Sequence, residues 1–143
     1  MPKPLTWSWW GTTLRATSHH AVKNRLHAWL DRQMPAGAKV LVSPAVRAEQ
    51  TAHALGRKFK ISPALAPLAS AEQLLDLVQW PQAKGCLLVV GHQPVLGQVI
   101  AQLVGLKVSE CALKKGSLWW LRHRERDQEA QTVVVAVQSP ELL

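Results

Sequence analysis

The sequence predicts an α/β fold: a three-layer sandwich with a mostly parallel sheet and helices on both faces. Three observations carry that expectation. Strand-like and helix-like segments alternate at short spacing from His27 onward. The strand-like runs are continuously apolar, as strands covered on both faces are. Twice, an apolar run leads within a few residues to a proline that opens a helix, which is how a parallel strand hands over to its crossover helix. At 143 residues the chain suits one domain with one sizeable core.

The elements follow in order. His27 to Arg32 has the composition of a helix end, and Pro35-Ala36-Gly37 is a turn. Lys39 to Ser43 (K-V-L-V-S) is a short β-branched run that suits a buried parallel strand. Ala45 to Phe59 is helical in composition, with Ser43 expected as N-cap and Pro44 as first helical residue. Ser70 to Val78 predicts a second helix, capped by Ser70, with Leu74, Leu75 and Val78 on one face. Gly85 opens Cys86 to Val90 (C-L-L-V-V), the clearest buried strand, and Gly91-His92-Gln93-Pro94 is a sharp turn. Val95 to Val104 has apolar residues at helical spacing. Ser117 to Arg122 and Thr132 to Val137 are the last strands, and the charged stretch Arg122 to Glu129 is expected to connect them as an exposed hairpin.

Charge and aromatic content set the first 26 residues apart. The formal net charge is +8, and the first acidic residue is Asp31. Lys3, Arg15, Lys23 and Arg25 are therefore uncompensated and account for half of that charge. Trp7, Trp9 and Trp10 are three of the seven tryptophans. Residues 1–26 are taken as an atypical N-terminal segment and 27–143 as the domain proper. No run is long enough for a membrane span or a signal-peptide core, so the cytoplasm is the expected location. Cys86 and Cys111 lack metal-ligand spacing and are expected as buried free thiols.

Chemistry can sit at the two strand-to-helix junctions. The carboxyl ends of parallel strands form the usual ligand crevice, and helix N-termini there offer N–H groups and a positive dipole end to an anion. Arg47 stands one turn into the helix that follows Ser43, where a guanidinium can hold two phosphate oxygens. His92 directly follows the second strand, where it can bond a phosphoryl oxygen or move a proton. Each feature alone is as compatible with a solvated surface arginine and a structural Gly-His turn.

The two junctions read L-V-S-P-A-V-R-A-E-Q-T (Leu41 to Thr51) and L-V-V-G-H-Q-P-V-L-G (Leu88 to Gly97). Between them come L-A-P, A-E-Q-L-L and W-P, and beyond them K-K-G-S-L-W-W-L (Lys114 to Leu121). In this combination the chain resembles the SixA-type phosphohistidine phosphatases, a branch of the histidine phosphatase (phosphoglycerate mutase-like) superfamily, over roughly residues 25 to 137. The resemblance implies hydrolysis of a phosphoryl group through a phosphohistidine enzyme intermediate, with no metal or other cofactor. By the same resemblance Arg47 matches the second arginine of the family's site, His92 its second histidine, and Ser43 a residue lining the pocket. The expected substrate is a phosphorylated histidine on a protein partner, or a small phosphorylated molecule, with neither nucleic acid nor membrane as partner.

The family's first strand ends in Arg-His-Gly or Arg-His-Ala, whose histidine is the nucleophile. No such pair stands near this N-terminus, and Arg122-His123 occurs late, in a charged stretch. His19 and His20 are the nearest histidines and have no apolar strand before them, so the first strand is expected to be missing or altered. Codons for Thr12 to Leu26, read one base earlier, permit D-D-L-A-R-x-L-T-P-R-G-E-K-Q-A, which resembles the segment the family carries after its first motif. Residues 1 to about 26 are accordingly expected to be encoded out of frame, the rival account being a natural, divergent N-terminal arm. Two other functions stay open: a phosphate-binding pseudo-phosphatase without turnover, and a basic nucleic-acid module suggested by the charge and the tryptophans.

Overall fold

The computed structural model describes residues 6–15, 20–34, 37–79, 85–113, 116–126 and 129–139; along 6–15, 20–24, 26, 124–126 and 130 the backbone alone is described. The strands are β1 (Thr6–Arg15), β2 (Lys39–Val42), β3 (Lys60–Ile61), β4 (Cys86–Gly91), β5 (Leu118–Arg126) and β6 (Glu129–Gln138). The helices are α1 (His20–Gln33), α2 (Val46–Ala54), α3 (Ala71–Val78) and α4 (Val95–Val104), with a 3₁₀ turn at Pro63–Leu65. Pro35-Ala36, Trp80-Pro81, Lys114-Lys115 and His19 lie outside the described residues.

One six-stranded sheet runs in the order β3-β2-β4-β1-β5-β6. The pairs β2/β3, β2/β4 and β1/β4 are parallel, and β1/β5 and β5/β6 are antiparallel. Side chains leave a strand alternately to its two faces, and both faces are filled. Leu88 and Val90 of β4 and Val40 and Val42 of β2 pack with Leu30, Met34, Ala48, Ala52 and Leu55 of the α1–α2 side. Leu87 and Val89 pack with Leu74, Val78, Leu96, Val99 and Ile100 of the α3–α4 side. The expected three-layer sandwich is therefore the fold.

The alternative of a missing or altered first strand is decided in favour of altered. β1 fills a central place between β4 and β5, so the backbones of both neighbours are paired there. His20 opens a helix that follows this strand, which is not the apolar strand that the sequence reading looked for before it. α1 also runs through the boundary between residues 26 and 27, where composition changes but the element does not.

Three further expectations change. The first helix after β2 starts at Val46 with Ala45 as N-cap, so Ser43 is not its cap and Pro44 is not its first residue. The charged stretch Arg122 to Glu129 is mostly strand, because β5 and β6 extend in register as far as Arg126 and Glu129. Both cysteines are free, as expected, but half-buried. Ser70 does cap α3: its side chain accepts the Gln73 N–H at 3.1 Å while Gln73 Oε1 accepts the Ser70 N–H at 2.7 Å. Trp119 and Trp120 lie in β5, as expected, and pack on opposite layers of the core.

Candidate phosphate site

Strands β2, β4 and β1 lie side by side and parallel, so their carboxyl ends meet at one edge of the sheet. Ser43 continues β2 by one residue, held by its N–H to the Val90 carbonyl at 3.0 Å. His92 leaves β4 immediately after Gly91. The two side chains meet: His92 Nε2 lies 2.8 Å from Ser43 Oγ. Ser43 is fully buried and His92 half-buried, so the serine anchors the ring from below while part of the ring faces outward. Ser43 Oγ also accepts the Ala45 N–H at 3.3 Å. With one acceptor site so occupied, the hydroxyl can still donate to a neutral Nε2 or accept from a protonated one.

The two helix N-termini differ in a way that local sequence does not show. At α4, Leu96 N–H donates to the His92 carbonyl at 3.0 Å, Gly97 N–H to Gln93 Oε1 at 2.7 Å and Gln98 N–H to the Pro94 carbonyl at 2.9 Å. Those three donors are thus taken up within the chain, while the Val95 N–H has no acceptor among the described residues. At α2, Ala48 and Glu49 N–H both turn back to the Ala45 carbonyl at 3.1 Å. The N–H groups of Val46 and Arg47 have no acceptor among the described residues. The Arg47 side chain is exposed and likewise without an acceptor among them, and its carbonyl is fixed by the Thr51 hydroxyl at 2.8 Å.

Ser43 and His92 are therefore in direct contact, and Arg47 stands one helical turn from Ser43 on the same junction. A guanidinium, two backbone N–H groups and an imidazole on these junctions are each of a kind that binds anions. Sequence reasoning missed Arg15. The backbone register sets it opposite Gly91, next to His92, at the end of β1. Its signal was present in T-W-S-W-W-G-T-T-L-R, rich in β-branched and aromatic residues and so of high strand propensity. Burial pushes the Cys86 thiol up, against smaller opposing effects of Arg57 and Arg122, at the far end of β4.

No family model matches the chain. It is 31% identical over 77 residues to the phosphohistidine phosphatase SixA homolog of Haemophilus influenzae, covering 47% of each protein. The chain thus spans about half the length of the curated relative it matches. The structure of the protein histidine phosphatase SixA complexed with tungstate superposes with a TM-score of 0.69 at 19% identity, over 92% of this chain and 97% of that one. The putative phosphohistidine phosphatase SixA from Agrobacterium tumefaciens does so with a TM-score of 0.74 at 15% identity, over 94% and 100%. The chain therefore has the fold of the SixA-type histidine phosphatases and is related in sequence to a SixA homologue.

Proposed function

We propose that this protein is a phosphohistidine phosphatase of the SixA type, whose phosphate-holding half is Ser43, Arg47 and His92. The observation that carries it is the 2.8 Å contact between His92 and Ser43, which joins the ends of two parallel strands beside the open N-terminus of α2. In such a site an imidazole nitrogen attacks phosphorus as the bond from phosphorus to the substrate's histidine nitrogen breaks, and that nitrogen takes a proton. Water then attacks the enzyme's phosphohistidine, releasing inorganic phosphate and the free ring. Arg47 and the α2 N–H groups offset charge on the equatorial oxygens, and His92 donates to one of them. The Arg-His motif that carries the resembled family's nucleophile is absent near this N-terminus, and His19 and His20 are the histidines nearest to its place in the sequence. The proposed substrate is a phosphorylated histidine on a protein partner, or a small phosphorylated molecule, and the compartment proposed is the cytoplasm. Among the described residues no helix is long and apolar enough to cross a membrane.

The second reading is a phosphate-binding protein without turnover. It is favoured by a specific feature: Arg15 at the end of β1 is followed by Ala16 where the resembled motif has histidine. Incubation with a phosphohistidine-bearing protein domain separates the two. Release of inorganic phosphate, with transient label on the enzyme, supports the phosphatase. Saturable phosphate binding with no release supports the second reading, and failure of both removes the site.

A further inference from the structure

We infer that Gln93 is the positioning residue of His92, acting through a bracket that ties the His92 turn to the segment after α4. The inference rests on the reading of His92 as a phosphate contact. Both polar atoms of the Gln93 side chain are engaged. Its Oε1 accepts the Gly97 N–H at 2.7 Å, and its Nε2 donates to the Cys111 carbonyl at 2.9 Å. Cys111 N–H in turn donates to the Gly97 carbonyl at 3.0 Å. The three bonds close a loop through the turn, the first part of α4 and Cys111. A reversed amide would set donor against donor at Gly97 and carbonyl against carbonyl at Cys111, so only one orientation satisfies all partners.

Gly97 makes this approach possible. It is buried, and a Cβ there would overlap the Cys111 carbonyl oxygen and crowd both amide atoms of Gln93. The absence of a side chain lets the 105–113 segment run back along α4 and lie against the helix one turn from His92. The consequence for the site is mechanical. His92 is held on one side by Ser43 through Nε2, and on the other by its own carbonyl, which accepts the Leu96 N–H at 3.0 Å. The first turn of α4 therefore sets the His92 backbone, and the bracket sets that first turn. An apolar residue at 93 would leave the Gly97 N–H and the Cys111 carbonyl without their partner and free the helix start to move.

The test follows the His92 ring by NMR through a pH titration, in wild type, Gln93→Ala and Gln93→Met, without and with inorganic phosphate. Gln93→Met keeps the volume and removes both polar ends. The expected result is a displaced His92 titration in phosphate-free buffer for both variants, and phosphate binding weaker by about fivefold, the loss of one hydrogen bond's worth of positioning. A folded Gln93→Met with the wild-type His92 titration overturns the inference, as does unfolding of both variants, which makes the bracket a determinant of the fold alone. A wild-type His92 resonance indifferent to phosphate instead removes the phosphate reading. The phosphate-free comparison still decides whether Gln93 positions the ring.

Discussion

Ser43 is fully buried and Arg47 is exposed, and replacing each by alanine separates stability from binding. Arg47→Ala removes a side chain with no acceptor among the described residues, so folding stability should stay within about 0.5 kcal/mol of wild type. Phosphate affinity should nevertheless fall by about tenfold or more, because a charge-assisted bond contributes roughly 1.5–3 kcal/mol. Calorimetric titration with inorganic phosphate beside a urea melt reads both quantities. Ser43→Ala should change both quantities. It strips His92 Nε2 and the Ala45 N–H of a shared partner, so stability should drop by about 1–2 kcal/mol and binding should weaken with it. An Arg47→Ala protein that binds phosphate as wild type does would remove the guanidinium from the site.

At the scale of elements, two strand and helix ends carry predictions unrelated to the crevice. The reciprocal bonds between Ser70 and Gln73 close the first turn of α3. Ser70→Ala should therefore cost about 1 kcal/mol, seen as a lower urea midpoint with unchanged slope. Cys86 opens β4 with its thiol pushed above its ordinary value of 9.0, mainly by burial. The sign follows from linkage. Below the unfolded thiol's value both states are protonated and the contribution is fully present. Above it the unfolded chain ionises first, and stability is lost as pH rises toward the folded value. Chemical denaturation of wild type should weaken from about pH 9 upward, and Cys86→Ala should flatten that part of the profile. An identical slope in the variant would show that another group sets the alkaline limit.

At the scale of the whole molecule, the place that the resembled family gives to its nucleophile is occupied by a strand of different sequence. β1 ends at Arg15, in register with Gly91. Ala16→His restores the order Arg-His after the strand and should produce or raise phosphohistidine hydrolysis by orders of magnitude. The same assay on His19→Ala and His20→Ala shows whether either already attacks. The coding DNA supplies a separate test of the altered segment. A strand ending in Arg-His in another frame, running into D-D-L-A-R-x-L-T, makes Thr6–Arg15 a displaced reading of it; absence of that frame makes β1 native. What the sequence by itself determined was local: apolar runs without alternation marked β2 and β4, helical spacing and a capping serine marked α3, and the two junction segments marked Ser43, Arg47 and His92. These signals survive because burial on both faces and helix capping act within a few residues of each other. Only the tertiary structure decided that the tryptophan-rich segment is a central strand, since its own polar and aromatic alternation is equally at home at an edge. It also decided that the Gly97 N–H at the start of α4 is taken by a side chain, while the Val46 and Arg47 N–H groups of α2 have no acceptor among the described residues. That distinction depends on Gln93 meeting Cys111, 18 residues away, across a helix thin enough at Gly97 to let them touch.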